Sequence, residues 1–224
     1  MLPNASPNPQ VGPVTAGLWL LGKDTQTPPK RDRQADQAAR TDLFAALRAR
    51  GIEPVPGPGL SHSGGFAAYG ENVAGSRIGV DLEWIRERDV LSLAEFAYSP
   101  EEYAWLKTLA DNERQTAFVE LWVLKEAAGK ALGLDLFDAL GNCRFALSEK
   151  SVTPYIEGGK TWTALVFAPR PLLRLAILVE GRSGYENSTP IVHEICSWHT
   201  PTHCKPLTHQ PIKAGKHSGE VRKN

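Results

Sequence analysis

A five-residue segment, Gly79-Val80-Asp81-Leu82-Glu83, constrains the fold more than any other part of the sequence. Apolar and acidic residues alternate in it, which predicts a β-strand whose successive side chains point to opposite faces. Val80 and Leu82 then face a core, while Asp81 and Glu83 share the other face. Two carboxylates on one face repel each other unless a positive group lies between them. The strand therefore belongs at a solvated surface or beside a hard cation such as Mg²⁺, which takes oxygen ligands.

A long helix is predicted from about residue 113 to 132, ending near a glycine. Trp122, Glu126 and Lys130 are four residues apart in it, so they share one stripe of the helix surface. Glu126 can complete a set of oxygen ligands with the two strand carboxylates, and Lys130 can meet an anion that the metal holds. Lys125 and Lys130 flank Glu126 in the sequence. An amphipathic helix with ordinary ion pairs is the alternative interpretation.

Two upstream segments suit a phosphate ligand. Ser61-His62-Ser63 precedes a pair of glycines and offers hydroxyls, an imidazole and flexible backbone at a turn. A turn with a surface histidine is the alternative. A loop further upstream carries a basic cluster of Lys30, Arg31 and Arg33.

Composition narrows the class of protein. Lys plus Arg and Asp plus Glu number 25 each, so the net charge gives no reason to expect a nucleic-acid binder. No apolar stretch approaches the roughly 18 residues of a membrane span, and the first residues lack the features of a secretory signal. The three cysteines do not suggest a disulfide framework. We therefore expect a cytoplasmic protein.

The predicted elements follow the order strand, helix, strands, helices, strands, which is the α+β class. They are a strand at 18–21, a helix at about 34–50, a strand entered through a glycine-containing turn in SHSGGFAAYG, a strand in RIGVDLEWI, a helical block capped by Ser99, the long helix, and strands in TWTALVF and LLRLAILVE. We expect a flexible N-terminus at 1–16, an N-terminal half at 17–75, a C-terminal half with the metal site at 76–182, and a disordered tail at 183–224.

The predicted tail contains a cluster of metal-binding residue types. Cys196, His199, His203 and Cys204 have a spacing that resembles metal ligands, but they lack the paired spacing of structural zinc sites. A solvated tail is the preferred interpretation.

These segments together resemble the phosphopantetheinyl transferase family, in particular its longer surfactin-synthetase type. The family pattern is G-[VI]-D-[VIL]-E followed some forty residues later by W-x-x-K-E-[AS]-x-x-K. The chain has GVDLE at 79–83 and WVLKEAAGK at 122–130. S-H-S at 61–63 and AYSPEEY at 97–103 match two further elements, although the family's G-K-P before S-H-S is missing. The resemblance covers about residues 17–181.

The resemblance implies two pseudo-symmetric α/β subdomains with the active site in the cleft between them. It implies Mg²⁺-dependent transfer of 4′-phosphopantetheine from coenzyme A to a serine of an apo carrier protein, with release of adenosine 3′,5′-bisphosphate. Asp81, Glu83 and Glu126 would hold Mg²⁺. Lys130 would contact the pyrophosphate, and Glu126 or a metal-bound water would accept the serine proton.

Further contacts with coenzyme A are implied for Arg40, Ser61, His62 and Lys125, with Ser61 and His62 on the side of the 3′-phosphate. The carrier is expected to be acidic. It would dock near residues 99–118, with Tyr103, Trp105, Leu106 and Lys107 as candidates, and the chain is expected to be a monomer.

Two other functions share parts of this pattern. Another Mg²⁺-dependent phosphate-ester enzyme would use the same carboxylates, but no P-loop motif is present. A catalytically weak family member could act as a carrier-binding module. The presence of all three carboxylates and Lys130 argues against this alternative.

Overall fold

A computed structural model describes residues 17–22, 25–71, 76–147, 152–158, 160–181 and the backbone of 191–194. The elements in chain order are β1 (Gly17–Leu21), α1 (Arg33–Arg48), β2 (Leu60–Ser63), β3 (Phe66–Glu71), β4 (Ile78–Trp84), α2 (Val90–Ala97), α3 (Pro100–Thr108), α4 (Asp111–Leu132), α5 (Leu136–Asn142), β5 (Arg144–Leu147), β6 (Val152–Tyr155), β7 (Trp162–Arg170), β8 (Leu173–Glu180) and β9 (Ile191–Glu194). This confirms the α+β class. None of the described helices is long and apolar enough to cross a bilayer.

The described strands form two sheets. The first sheet has the order β2-β3-β1-β9, and the second has the order β4-β8-β7-β6-β5. The pairs are antiparallel except for β1 and β9, which run parallel. β2 and β4 are therefore edge strands of their sheets, and they belong to different halves of the chain.

The two sheets share a core through their inner faces. Leu18 and Phe66 of the first sheet pack in one buried cluster with Leu82, Leu175 and Ile177 of the second. These side chains alternate with outward-facing ones along each strand, as pleated strands require. Burial of this shared apolar surface holds the halves of the chain together.

Helices cover the outer faces of both sheets. Leu43 and Leu47 of α1 pack against Trp19 and Tyr69 of the first sheet. A further cluster joins the second sheet to α4, α2, α3 and α5. The layers run helix, sheet, sheet, helix. The described halves differ in strand and helix number, so their pseudo-symmetry stays a prediction.

The long helix and the helix after Ser99 are confirmed. α4 ends at Gly133, whose φ of 71° is left-handed, as is common after a helix. The Ser99 side chain accepts a bond from the Glu102 N–H, and the Glu102 carboxylate accepts one from the Ser99 N–H. This reciprocal capping box fixes where α3 begins.

The segment SHSGGFAAYG was predicted as a strand entered through a glycine-containing turn. The strand β3 and the turn at Gly64 and Gly65, with φ of 58° and 75°, are confirmed, but the residues before the turn also form a strand, β2, so the segment is a hairpin. Positive φ at both central residues is typical of a type I′ turn, whose twist matches the flanking strands. The prediction also missed α2, α5, β5 and β6, which are too short to show a clear period.

Residues 191–194 lie within the segment expected to be disordered, but they form β9 beside β1. Without β9, the backbone groups along this edge of β1 would lack strand partners, and Ile191 and Val192 favour extended backbone. The other residues of the predicted tail, including Cys196, His199, His203 and Cys204, lie outside the described residues, as do residues 1–16.

Candidate functional site

The site begins where α4 crosses β4 at Gly79. A Cβ at this position would lie 1.8 Å from the carbonyl oxygen of Ala127, so a larger residue has no room. The backbones of α4 and β4 therefore approach more closely here than side chains would allow. Glu126 and Lys130 flank this contact on α4. This close approach places Glu126 and Lys130 next to Asp81, which lies two residues after Gly79 on the same face of β4.

Asp81 is the centre of the resulting cluster. Asp81 is 8% exposed, and its carboxylate accepts two bonds on Oδ1. Lys130 Nζ donates one at 2.8 Å and Ser61 Oγ donates the other at 2.9 Å. Ser61 comes from β2, so residues of both halves meet at this carboxylate.

The unpaired edge of β4 is satisfied largely by side chains. The Val80 N–H donates to the Pro58 carbonyl at 3.0 Å, and the Val80 carbonyl accepts from Lys130 Nζ at 2.9 Å. The Leu82 N–H donates to Ser61 Oγ at 3.1 Å. The Trp84 N–H, which is the next donor along this edge of β4, donates to Glu83 Oε1 at 2.9 Å. Backbone groups buried without partners are costly, so these contacts also fix the side chains of the site.

The three acids influence one another. Burial raises the pKa of Glu126; the charge of Asp81 raises it further, Lys130 opposes the rise, and Glu83 adds to it. Burial also raises the pKa of Glu83, against the Trp84 N–H bond and the positive charges of Arg88 and Arg31. Burial is therefore the main reason why Glu126 and Glu83 are harder to ionise, and the neighbouring acids add to it.

The three acids suit a metal ion by their ligand type, but their present positions do not form a metal site. In the described part of the chain, no three His, Cys, Asp or Glu side chains are grouped as a metal site. Asp81 is engaged by Ser61 and Lys130, and Glu83 by its neighbouring backbone. The donor set consists of mutually repelling carboxylate oxygens, which suits Mg²⁺. The prediction that Asp81, Glu83 and Glu126 hold Mg²⁺ is thus untested by this arrangement.

The predicted basic loop lies beside the carboxylates. Arg31 is close enough to lower the pKa of Glu83. Arg86, just after β4, donates from Nη2 to the Pro29 carbonyl at 2.7 Å and ties the loop to this end of the strand. Arg33 and Arg40 lie on α1, where Arg40 is half-buried. Among these basic residues, Arg31 is the one whose charge acts on the acidic cluster.

Ser61 and His62 point to opposite faces of β2, as neighbouring strand residues do. Ser61 is buried against β4. His62 is exposed on the α1 side, where Nδ1 lies 3.9 Å from Asp36 Oδ2. The structure therefore separates two residues for which one phosphate contact was expected.

Lys125 is not brought to the site. It is fully buried, with Nζ 2.8 Å from Glu102 Oε2 and donating to the carbonyls of Leu140 and Cys143. Consecutive helix residues are about 100° apart, so Lys125 faces away from the Glu126 cleft. Burial lowers the pKa of Lys125, and the charge of Glu102 opposes this. Lys125 thus anchors α4 to α3 and α5 in this arrangement, and its contact with coenzyme A stays a prediction.

The predicted docking residues do not form one surface. Leu106 is fully buried and cannot contact a partner. Tyr103 and Trp105 are about 200° apart around α3. Lys107 stacks over the Tyr103 ring at 5.2 Å, while Trp105 lines an apolar groove of about 370 Å³ with Phe145.

Two contributors to the site were missed from the sequence. Gly79 was counted as part of a strand without a packing role, although its close contact with α4 assembles the site. Arg88 lies in an irregular segment, and Gln115 Nε2 donates to its carbonyl at 2.6 Å. Its charge acts on Glu83, but no periodic pattern marks it in the sequence.

Comparison with known proteins shows which class of protein this region resembles. Residues 77–168, which include β4 and α4, match the family model of the 4′-phosphopantetheinyl transferase superfamily. The chain is therefore similar to this superfamily over that region.

Three curated relatives share this region. The chain is 33% identical over 123 residues to 4′-phosphopantetheinyl transferase HetI of Nostoc sp., which covers 54% of this chain and 51% of the relative. It is 33% identical over 78 residues to 4′-phosphopantetheinyl transferase gsp of Aneurinibacillus migulanus, covering 35% and 32%. It is 28% identical over 106 residues to a putative 4′-phosphopantetheinyl transferase of Haemophilus influenzae, covering 46% and 44%. The matches thus span about half of HetI and a third of gsp.

Proposed function

We propose that this chain transfers the 4′-phosphopantetheine group of coenzyme A to a serine of an apo carrier protein, with Mg²⁺. One observation carries the proposal: Asp81 and Glu83 of β4 lie beside Glu126 and Lys130 of α4, inside the region that matches the superfamily. The named relatives are phosphopantetheinyl transferases, which supports the same reaction here.

The acidic cluster is the proposed metal site. Asp81, Glu83 and Glu126 would hold Mg²⁺, because a cation among them would offset the repulsion between these neighbouring carboxylates. When bound, Mg²⁺ supplies positive charge to the pyrophosphate oxygens of coenzyme A.

Lys130 is the proposed pyrophosphate contact. Its ammonium group has three N–H donors, of which two reach Asp81 and Val80 among the described residues. The remaining donor suits an anion next to the carboxylates. There Lys130 would stabilise negative charge that develops on the leaving phosphate during transfer.

Glu126 is the proposed acceptor of the serine proton. The serine oxygen bonds to the β-phosphorus of coenzyme A, and the phosphorus–oxygen bond to adenosine 3′,5′-bisphosphate breaks. The hydroxyl proton must leave, and the Glu126 carboxylate would be placed beside the reacting phosphate to accept it. Such transfers depend chiefly on positioning and charge neutralisation.

The basic residues of the N-terminal half would bind the remaining phosphate of coenzyme A. Arg31 lies near Glu83, and Arg40 and the exposed His62 lie on or against α1. Positive and hydrogen-bonding groups at the opening of the cleft suit the 3′-phosphate.

The acceptor is proposed to be an acidic carrier protein, and the enzyme a monomer acting in the cytoplasm. Trp105 lines an apolar groove beside Arg144, so a partner with an apolar contact and nearby acidic groups would fit there.

Intact mass spectrometry tests this function directly. The chain is incubated with coenzyme A and several apo carrier proteins, with Mg²⁺ or with a chelator. We expect a carrier mass increased by one phosphopantetheine in the Mg²⁺ samples. A carrier that binds but stays unmodified would indicate a binding module instead.

A further inference from the structure

The turn of the β2–β3 hairpin is held from two sides. On one side, a Cβ at Gly64 would lie 2.7 Å from Pro29 Cγ and from Trp84 Nε1. On the other side, Gly65 faces α1, where a Cβ would lie 3.8 Å from the Cβ of Ala35. The turn is therefore packed between the end of β4 and α1.

A hydrogen bond from the turn to α1 completes this packing. The Gly65 N–H donates to Asp36 Oδ1 at 2.8 Å, and the bond is partly buried. The N–H of a central turn residue is not part of the ladder between the two strands, so another acceptor has to satisfy it. Asp36 supplies that acceptor from a helix 29 residues earlier in the chain.

The same carboxylate faces His62. Asp36 Oδ2 lies 3.9 Å from His62 Nδ1, on the side of β2 that faces α1. Arg40 follows Asp36 by four residues, so both lie on one stripe of α1, and both are partly buried. Asp36 thus joins the two elements that carry the groups proposed for the 3′-phosphate, the imidazole of β2 and the guanidinium of α1.

The charge of Asp36 argues against a direct contact with that phosphate. A carboxylate and a phosphate are both anionic and both accept hydrogen bonds, so they repel each other. By charge alone, removing Asp36 should therefore strengthen phosphate binding. The bond to the turn predicts the opposite, because a turn released from α1 lets His62 move away from Arg40.

We propose that Asp36 is a positioning residue, which fixes the β2–β3 turn to α1 and so holds His62 and Arg40 together for the 3′-phosphate of coenzyme A. It acts through these two groups and does not contact the ligand itself. This inference rests on the proposed function, because it adds a residue that positions the same phosphate site.

Calorimetric titration of coenzyme A and 3′-dephospho-coenzyme A tests this role. The quantity compared is the phosphate preference, the ratio of the two affinities, because a general loss of stability would weaken both ligands alike. We expect Asp36→Ala to lower this preference about fivefold, as the loss of one hydrogen bond implies. Asp36→Asn keeps an oxygen acceptor for the Gly65 N–H and should restore most of the preference.

Asp42→Ala is the matched control. Asp42 lies on the same helix and is exposed, so its removal changes the net charge equally and should keep the wild-type preference. His62→Ala, at the proposed phosphate contact, should lower the preference by itself. In that background Asp36→Ala should have a smaller effect than in wild type, because it acts through His62.

A raised or unchanged preference in a folded Asp36→Ala protein would overturn the proposal, because Asp36 would then act by its charge alone or not at all. An Asp36→Asn protein that loses as much preference as Asp36→Ala would overturn it too, since the bond to the turn would not be the cause. If Asp36→Ala loses its folded circular dichroism spectrum, Asp36→Leu takes its place, because leucine fills the space without an acceptor.

Failure of the proposed function is recognised separately, by wild type that binds neither ligand or binds both equally. Amide hydrogen exchange then decides whether Asp36 holds the turn. We expect the Gly65 N–H to exchange about fivefold faster in Asp36→Ala than in wild type or Asp36→Asn. Equal exchange rates in the three proteins would show that Asp36 does not fix the turn.

Discussion

At the residue scale, the charge of Glu126 serves the proposed site but lowers the stability of the folded protein. Glu126 is an acid that burial and Asp81 make harder to ionise in the folded protein. Its charged form therefore opposes folding in the absence of a cation. The same charge is what the proposed metal and proton transfer require, so stability and activity should respond to Glu126 in opposite directions.

The Glu126→Gln variant should show this opposition. Below the ordinary glutamate pKa, Glu126 is protonated in both folded and unfolded chains, so wild type and variant have similar stability. As pH rises through the raised folded pKa, wild type loses stability and the neutral variant does not. Urea unfolding from pH 4 to 8 without divalent ions measures this difference.

The same variant should transfer phosphopantetheine at least about 100-fold more slowly. Glu95→Gln, an exposed carboxylate on α2, provides the control and should change neither property. Near wild-type turnover would remove Glu126 from the chemistry, and a pH-independent stability difference would contradict the cause given for its pKa.

Lys125 shows what the sequence could not reveal about a residue next to the site. Lys125→Met leaves the Glu102 carboxylate buried without its cation, which should cost about 3–5 kcal/mol of unfolding free energy. Thermal or urea unfolding measures this cost, and calorimetry on the folded protein should give unchanged affinity for coenzyme A.

Arg48→Met is the control, since it breaks an exposed pair with Glu53 and should cost at most about 1 kcal/mol. A stable Lys125→Met protein with weakened coenzyme A binding would restore the contact that the sequence suggested.

At the scale of elements, the packing of α4 against β4 decides whether the site exists. Gly79→Ala places a Cβ against the Ala127 carbonyl, so α4 must move away from β4 and carry Glu126 and Lys130 with it. We expect a loss of about 1–3 kcal/mol in urea unfolding together with weaker Mg²⁺-dependent coenzyme A binding.

Gly141→Ala on α5 is the matched control. A Cβ at Gly141 meets no atom within 4 Å, so this helical glycine should tolerate alanine or gain up to about 1 kcal/mol. Equal effects of the two substitutions would show that the close contact at Gly79 is not what assembles the site.

The elements that build the site were also those that the sequence predicted best. β4 alternates apolar and acidic residues, α4 is followed by the helix-terminating Gly133, and a capping box marks the start of α3. The partners of their side chains were not predictable, because Ser61–Asp81 and Lys125–Glu102 join residues distant in sequence. The period places Lys125 and Glu126 on different faces of α4 but does not say what covers each face.

At the scale of the whole molecule, one shared core makes the two halves a single cooperative unit. Leu175 of β8 lies within this core, 1% exposed, together with side chains of the first sheet. Leu175→Ala should cost about 2–5 kcal/mol and shift the urea transitions seen by tryptophan fluorescence and by far-ultraviolet circular dichroism equally. Separate transitions would indicate halves that unfold independently.

The central claim is that β4 and α4 together form a site for phosphopantetheine transfer. Its most direct measurement is the intact mass of an apo carrier protein after incubation with coenzyme A, Mg²⁺ and either wild type or Asp81→Asn. We predict a carrier heavier by one phosphopantetheine with wild type, and an unmodified carrier with a variant that remains folded. An equally modified carrier with Asp81→Asn, or none with wild type across a panel of carriers, would contradict the claim.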